Sequence, residues 1–194
     1  MKKIAIISIL CVIAVGCFSP AAKHYYQLHL TEKTSPPSVT AEHSLLFDPL
    51  TIRDLYNDFR IIYRVSPYEL KYYSYEFWAD KPQKLIRESV RQFLLREGLF
   101  TRIFNQATEG EADAVLRIRV EALEEVDSID HWKARLALTM ELSDPNDGRV
   151  LVRHVFDRAE RLSEKKVGLV PIVVSRILEE ELQTFARLIL KSRS

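Results

Sequence analysis

The sequence predicts an α+β fold, a two-layer sandwich in which an antiparallel sheet packs against two amphipathic helices. Several short segments alternate apolar and polar residues, which is the pattern of half-buried strands. Residues 81–97 and 169–191 instead place apolar side chains along one helical face. The order of elements, roughly strands, helix, three strands and helix, lets each helix cover one face of a sheet. With 47% hydrophobic residues, five Gly and eight Pro, the 194-residue chain has the composition of one ordinary globular domain.

The first half of the chain is predicted to supply the first strands of the sheet. In the earliest of them, Tyr26, Leu28 and Leu30 alternate with more polar neighbours. The others are short, rich in β-branched and aromatic residues, and bounded by turn formers. The predicted strands are residues 24–30, 44–52, 60–65 and 70–78.

Both helices have recognisable boundaries. Asp80 and Pro82 form a start signal for the first helix, because Asp can cap free amide groups and Pro is tolerated in the first turn. Gly98 supplies a left-handed stop at its other end. The second helix, residues 169–191, keeps the acidic run at positions 179–181 mostly outside its apolar stripe.

Three further strands are predicted between the helices. Apolar residues alternate with charged ones over residues 116–122 and 132–142, and a third strand covers residues 150–158. The connectors at 127–130 and 144–148 are short and rich in turn formers. These three strands are therefore predicted to form an antiparallel meander.

The N-terminus has the layout of a secretory signal, since Lys2 and Lys3 precede an apolar run over residues 4–15. This run is shorter than the roughly 20 apolar residues that a comfortable membrane span needs. The small residues before Cys17 resemble the bacterial lipobox. That resemblance implies that residues 1–16 are a signal peptide and that Cys17 receives a diacylglycerol and an N-acyl chain such as palmitate. The plainer alternative is that Cys17 is an ordinary thiol.

The lipobox resemblance also sets the predicted domain organisation. Residues 1–16 form the lipoprotein signal peptide, residues 17–23 a lipidated tether, and residues 24–194 a single domain. Phe18 stands where an Asp often retains lipoproteins at the inner membrane, so the resemblance favours the periplasmic face of the outer membrane. Two or three acyl chains are sufficient to hold a protein firmly on a bilayer.

Composition and motifs argue against an enzyme. The chain has 28 Lys plus Arg against 27 Asp plus Glu, a balance that gives no strong attraction to nucleic acid. No Gly lies in a phosphate-binding or nucleophile-elbow motif, and the five His lack metal-ligand spacing. The pairs Glu124-Glu125 and Asp144/Asp147 are predicted to be solvated at turns or strand ends, and the run 179–181 to be a solvated helix face. We therefore expect no catalytic residue, no metal, no nucleic-acid partner, and no cofactor beyond the acyl chains.

The most informative segment is residues 60–85, which is dense in aromatic side chains. Such density is compatible with sheet packing, because aromatic residues suit a half-buried pleated surface. The alternative is a binding surface, where these side chains give large contact area at little cost in entropy. The aromatic residues are Tyr63, Tyr68, Tyr72, Tyr73, Tyr75, Phe77 and Trp78.

The segment also carries a motif. It reads Tyr63-Arg64-x-Ser66-Pro67-Tyr68-Glu69-Leu70-x-Tyr72-Tyr73, followed by Trp78-Ala79 and Pro82 at a helix start. This motif resembles the ABC-type transport auxiliary lipoproteins, the PqiC-like family. The resemblance implies a lipid-anchored protein that assists an MCE-type transport system carrying phospholipids or other hydrophobic molecules between membranes. It implies an MCE-domain periplasmic protein and its ABC transporter as partners, and leaves room for a homo-oligomer.

Three functions are compatible with the sequence. The leading hypothesis is a non-enzymatic adaptor that docks on the periplasmic transport protein. The second is a lipid-binding carrier with an apolar groove between sheet and helices, and the third is an envelope assembly lipoprotein unrelated to MCE systems. The residues predicted to dock a partner are Tyr63, Ser66, Pro67, Tyr68, Tyr72, Tyr73 and Trp78.

Overall fold

A computed structural model describes residues 21–31, 43–105, 112–128 and 131–193. The predicted signal peptide and lipid attachment at Cys17 lie outside the described residues. The strands are β1 (His24–Tyr26), β2 (Ser44–Phe47), β3 (Thr51–Ile52), β4 (Arg60–Ser66), β5 (Glu69–Trp78), β6 (Arg102–Phe104), β7 (Ala114–Asp127), β8 (Trp132–Ser143) and β9 (Val150–Arg161). The helices are α1 (Pro82–Arg96) and α2 (Leu169–Ser192), with a single helical turn at Asp54–Tyr56.

Strand β7 is the central strand of the sheet and pairs with other strands along both of its edges. One of its edges pairs antiparallel with β8, which pairs antiparallel with β9, so the predicted meander is confirmed. Its other edge pairs parallel with three short strands in succession, namely β2, β3 and β4. From β4 the sheet continues through the antiparallel strand β5 to β1, while β6 pairs with β2.

The α+β class is confirmed, but the sheet is mixed rather than antiparallel. The pairs of β7 with β2, β3 and β4 are parallel, and so is the pair of β1 with β5. Sequence patterning favours antiparallel pairing only between neighbours joined by short turns. The parallel pairs join segments that are far apart along the chain. No short turn connects them, so the sequence contains no turn motif that would predict the pairing.

Two of the predicted N-terminal strands differ from the observed ones. The first strand ends at Tyr26, because the chain then crosses onto α2, where the His29 amide donates to Ser175 Oγ at 3.1 Å. The predicted strand 44–52 is split into β2 and β3 by a short connection. The Asp48 amide in that connection donates to the carbonyl of Leu116 at 3.0 Å.

The helices agree closely with the sequence prediction. Pro82 is the first residue of α1, and Gly98 adopts a φ of 68° just after its end, where a side chain would be strained. Asp80 does not cap the helix; its carboxylate instead accepts the Lys81 amide and pairs with Lys84. The helices contact each other and share one core, so both lie on the same side of the sheet. Neither described helix is long and apolar enough to cross a membrane.

A bulge at Glu121 interrupts the pairing of β7 with β8. Before it, even-numbered residues such as Ile118 and Val120 face the helices; after it, Leu123 does. The side chains on the opposite side of the sheet form a second, smaller cluster. Its members are Tyr56, Ile62, Ala122 and Ala137, with Ile52, Leu55, Leu70 and Tyr72 packed around them.

Candidate functional site

The β4–β5 hairpin presents the most exposed large hydrophobic side chain among the described residues. Ser66 and Glu69 pair across its mouth, and Pro67 and Tyr68 form the two-residue turn. The Tyr68 amide donates to Ser66 Oγ at 3.2 Å, which fixes the turn. The Tyr68 side chain has no neighbour that covers it and is 98% exposed. An aromatic ring in this position can contact a partner directly, because no other part of the domain has to move away first.

Trp78, at the far end of β5, does not belong to such a surface. Its side chain is only 3% exposed and lies in the main core. A partner could not touch it without opening the sheet, so its assignment as a docking residue is wrong. The alternation of strand residues explains the position, because Phe77 points to the opposite side and Trp78 is left facing the helices.

The three other tyrosines predicted to dock a partner are half-buried and attach the hairpin to the sheet. Tyr72 donates its hydroxyl to the carbonyl of Leu55 at 3.1 Å, on the side away from the helices. Tyr73 faces the other side and donates to Glu125 at 3.1 Å. The rings of Tyr63 and Tyr73 pack with their centroids 4.5 Å apart. Both interpretations of the aromatic segment therefore apply, packing along the strands and exposure at the tip.

A buried carboxylate, Glu124, ties the first strand of the hairpin to the rest of the sheet. Glu124 on β7 is 1% exposed, and Arg64 on β4 donates to both of its oxygens at 2.8 and 2.9 Å. Tyr56 donates at 2.7 Å and Arg135 on β8 at 2.8 Å, so four hydrogen bonds converge on this carboxylate. Arg135 also holds Asp157 on β9 through two hydrogen bonds. We call these five residues the Glu124 network; it links the hairpin strand to β7, β8 and β9.

The electrostatics of the network favour the ionised form of Glu124. Burial alone would raise the pKa of the Glu124 carboxyl, but the hydrogen bonds from Arg64, Tyr56 and Arg135 outweigh it and lower that pKa. Burial, followed by the hydrogen bond to Glu124, raises the pKa of the Tyr56 phenol, which stays a donor. A buried charge paired in this way is costly to break, because removing one partner leaves the other unpaired.

Glu125 points to the opposite side of β7 and has a different environment. It is 1% exposed, and burial raises its pKa, with the Tyr73 hydrogen bond opposing the rise. Burial, followed by the charge of Glu125, likewise raises the pKa of Tyr73. The prediction that Glu124 and Glu125 are solvated is therefore wrong. Strand β7 continues through both positions to Asp127, so the two consecutive carboxylates are enclosed on opposite sides of the sheet.

One feature of the sequence points to this network. Two consecutive acids inside a long alternating strand cannot both face water when one side of the sheet is covered. Arg64 lies in the aromatic motif and is the natural partner for one of them. Arg135 and Asp157 lie in strands where charged and apolar residues alternate. Nothing in the sequence distinguishes them from charged residues that simply face solvent.

The acidic run of α2 is also less solvated than predicted. Glu181 accepts from His154 Nε2 at 2.6 Å and from Arg158 at 2.9 Å, which ties α2 to β9. Glu179 accepts the amide and the hydroxyl of Thr31. Within the described residues, no group of three His, Cys, Asp or Glu side chains could hold a metal ion.

One cleft on the helix side has charged and polar lining residues and a volume of about 560 Å³. Its lining residues are Thr31, Arg96, Glu97, Arg176, Glu179, Glu180 and Gln183. A second cleft, of about 500 Å³, also has apolar lining residues, among them Tyr26, Pro171 and Ile172. The charged walls of the first cleft do not suit an acyl chain.

Fold and site together define a small α+β domain that presents one exposed hairpin braced by a buried ion network. The sequence matches the profile of the ABC-type transport auxiliary lipoprotein component family over residues 26–181, and the chain belongs to this family. The family consists of lipoproteins that are auxiliary components of ABC-type transport, which implies a protein partner. No curated protein sequence matches the chain.

Solved structures show the same fold at low sequence identity. A Xanthomonas campestris protein of the DUF330 family superposes with a TM-score of 0.71 and 20% identity, over 90% of this chain and all of that one. A second structure, of an uncharacterised protein, gives 0.69 and 15%, covering 87% and 99% of the two chains. A PelC dodecamer from Paraburkholderia phytofirmans gives 0.50 and 15%, covering 80% and 94%.

Proposed function

We propose that this protein is a non-enzymatic adaptor of an MCE-type ABC transport system, which moves phospholipids or other hydrophobic molecules between membranes. In this proposal Cys17 carries the acyl chains, residues 17–23 form the tether, and residues 24–194 form the periplasmic domain at the outer membrane. Family membership supports an auxiliary role beside an ABC transporter. The MCE-domain partner, the outer-membrane location and the lipid cargo are the parts that the proposal adds.

The observation that carries the proposal is the exposed tip of the β4–β5 hairpin. Tyr68 is 98% exposed, yet the strand that leads to it is fixed by Arg64 and the buried Glu124. A rigid support lowers the entropy that a contact residue loses on binding. Pro67 and Tyr68 are therefore the residues through which we propose that the adaptor docks. Ser66 positions the turn, and Tyr63, Tyr72 and Tyr73 hold the strands.

The carrier hypothesis is less well supported. The main core is filled by large side chains of both helices and the sheet, and the cleft of about 560 Å³ on the helix side is lined mainly by charged residues. Self-association remains part of the adaptor proposal, because one solved neighbour is a dodecamer.

The test is affinity purification of the full lipidated protein from native envelopes, with mass spectrometry of the proteins and lipids that accompany it. The wild type is compared with Tyr68→Ala at the hairpin tip. Val155→Ala is the matched control, since Val155 is 59% exposed on β9, at the other edge of the sheet. We expect an MCE-domain protein and its ABC components with the wild type and the control, and a several-fold smaller yield with Tyr68→Ala.

Two outcomes would count against the proposal. Equal recovery of the MCE-domain protein with Tyr68→Ala would remove the hairpin tip from the interface. Recovery of phospholipid in a fixed ratio, without transport components, would make the domain a carrier.

A further inference from the structure

An exposed aromatic pair lies where the described chain enters the sheet. Strand β1 sits at the edge, and its Tyr25 is 63% exposed. The Tyr25 ring stacks on Phe77 of β5 with centroids 5.5 Å apart, and Lys23 Nζ lies 5.6 Å from the centre of the Phe77 ring. We call Lys23, Tyr25 and Phe77 the edge patch.

Strand register keeps this pair away from the core. Tyr25 is opposite Phe77, and the next residues, Tyr26 and Trp78, point towards the helices. The edge patch therefore faces the side of the sheet that carries no helix. Arg60 lies opposite Phe77 on β4, but its guanidinium lies 4.2 Å from the centre of the Tyr72 ring and pairs with Asp58, so it is not counted in the patch.

The edge patch lies close in sequence to the proposed lipid attachment site, which limits its distance from the membrane. Lys23 is the sixth residue after Cys17, and an extended chain covers at most about 3.6 Å per residue, or roughly 22 Å in all. An acylated Cys17 therefore keeps the edge patch within about that distance of the lipid headgroups. At such a short tether length the bilayer is present at high effective concentration, so even a weak surface contact is populated.

We propose that the edge patch rests on the lipid bilayer, an inference that depends on the proposed anchoring at Cys17. Tyrosine is favoured at membrane interfaces because its ring is apolar and its hydroxyl stays hydrated. Lys23 places positive charge beside the Phe77 ring, where anionic headgroups attract it. The contact sets the orientation of the domain on the membrane.

The patch and the hairpin tip lie at opposite ends of the same strand. The β4 residues opposite Phe77 and Glu69 are Arg60 and Ser66, six residues apart, which corresponds to about 20 Å at the usual rise of a strand. The lipid contact and the proposed protein contact are thereby separated, and both can be occupied at once.

The test uses the full lipidated protein in vesicles of phosphatidylethanolamine and phosphatidylglycerol. The chain has only two cysteines, Cys11 in the predicted signal peptide and the acylated Cys17, so a single added cysteine can carry a fluorophore. Ala79→Cys places it on an exposed residue beside the patch, and Val155→Cys places it at the opposite edge of the sheet. Nitroxide-bearing lipids then report which fluorophore lies at the bilayer surface.

We expect several-fold stronger quenching at position 79 than at position 155. Tyr25→Ser combined with Phe77→Ser should abolish the difference, and Lys23→Glu, which touches no core residue, should reduce it. Equal quenching at both positions, or quenching at 79 that survives all three substitutions, would overturn the proposal.

The same preparation separates this inference from the anchoring on which it rests. Failure of the protein to float with the vesicles would refute acylation of Cys17 and the patch contact with it. Flotation without preferential quenching would refute the patch alone. The Tyr25→Ser, Phe77→Ser variant could instead keep its quenching and lose the copurifying transport protein. That result would assign the patch to a protein interface and overturn the membrane contact.

Discussion

Replacing Glu124 with Ala should destabilise the domain more than any other single carboxylate substitution proposed here. The change removes the acceptor of four hydrogen bonds and leaves Arg64 with the Tyr56 hydroxyl and a long contact to the Pro67 carbonyl. Breaking one side of a buried ion pair costs about 3–5 kcal/mol. The Arg64 and Arg135 side chains retain 21% and 30% exposure, so water recovers part of the loss. We therefore expect about 3 kcal/mol.

Thermal unfolding followed by circular dichroism measures this loss. For a domain of this size about 3 kcal/mol lowers the Tm by roughly 6–12 °C. Glu141→Ala is the matched control, because Glu141 is an acid on the neighbouring strand whose pair with Arg153 is solvent-exposed. That pair should contribute less than about 1 kcal/mol.

The pH dependence provides a second measurement of the same residue. Since the folded-state pKa of Glu124 is lowered from 4.5, its stabilisation is complete above that value and disappears as the pH falls through the folded pKa. The difference between wild type and Glu124→Ala should shrink over that acidic range. A Tm loss no larger than that of Glu141→Ala at neutral pH would refute the reasoning.

The remaining predictions concern other parts of the fold. Glu125→Gln should stabilise the protein at neutral pH, because burial raises the pKa of Glu125 in the folded state; urea unfolding should show the gain vanishing as the pH falls below the unfolded-state pKa. Trp78→Ala should cost about 3–5 kcal/mol by the same assay, whereas Tyr68→Ala should change stability by less than about 0.5 kcal/mol. Gly98→Ala should cost about 1 kcal/mol, because the φ of 68° disfavours a side chain; an unchanged Tm would contradict this.

Local periodicity was sufficient to predict the elements whose partners are close in sequence. The first helix was predicted at residues 81–97 and is Pro82–Arg96, and the three-strand meander has the predicted order and pairing. The three-residue strand β6 is too short to show a period. The parallel pairs on the other edge of β7 depend on contacts between distant segments, which a pattern of alternation does not encode.

The site was predictable only in part, for a related reason. The motif around Ser66 and Tyr68 marked the hairpin, but alternation alone could not say which aromatic residues face the core. After the bulge at Glu121, odd-numbered residues of β7 face the helices instead of even-numbered ones. The alternation in the first half of the strand therefore does not predict which side Glu124 and Glu125 face.

The central position of β7 also has a consequence for the order of folding. Strands β7, β8 and β9 follow one another along the chain, and the β4–β5 hairpin closes on its own. Leu45, by contrast, pairs with Ile103 and Ala114, and Thr51 pairs with Arg119, so each of them gains a strand partner only after more than 50 further residues have been added. Closing such long loops costs entropy before any contact repays it, so these pairs are expected to form late. The strands nearest the N-terminus are thus synthesised first and completed last.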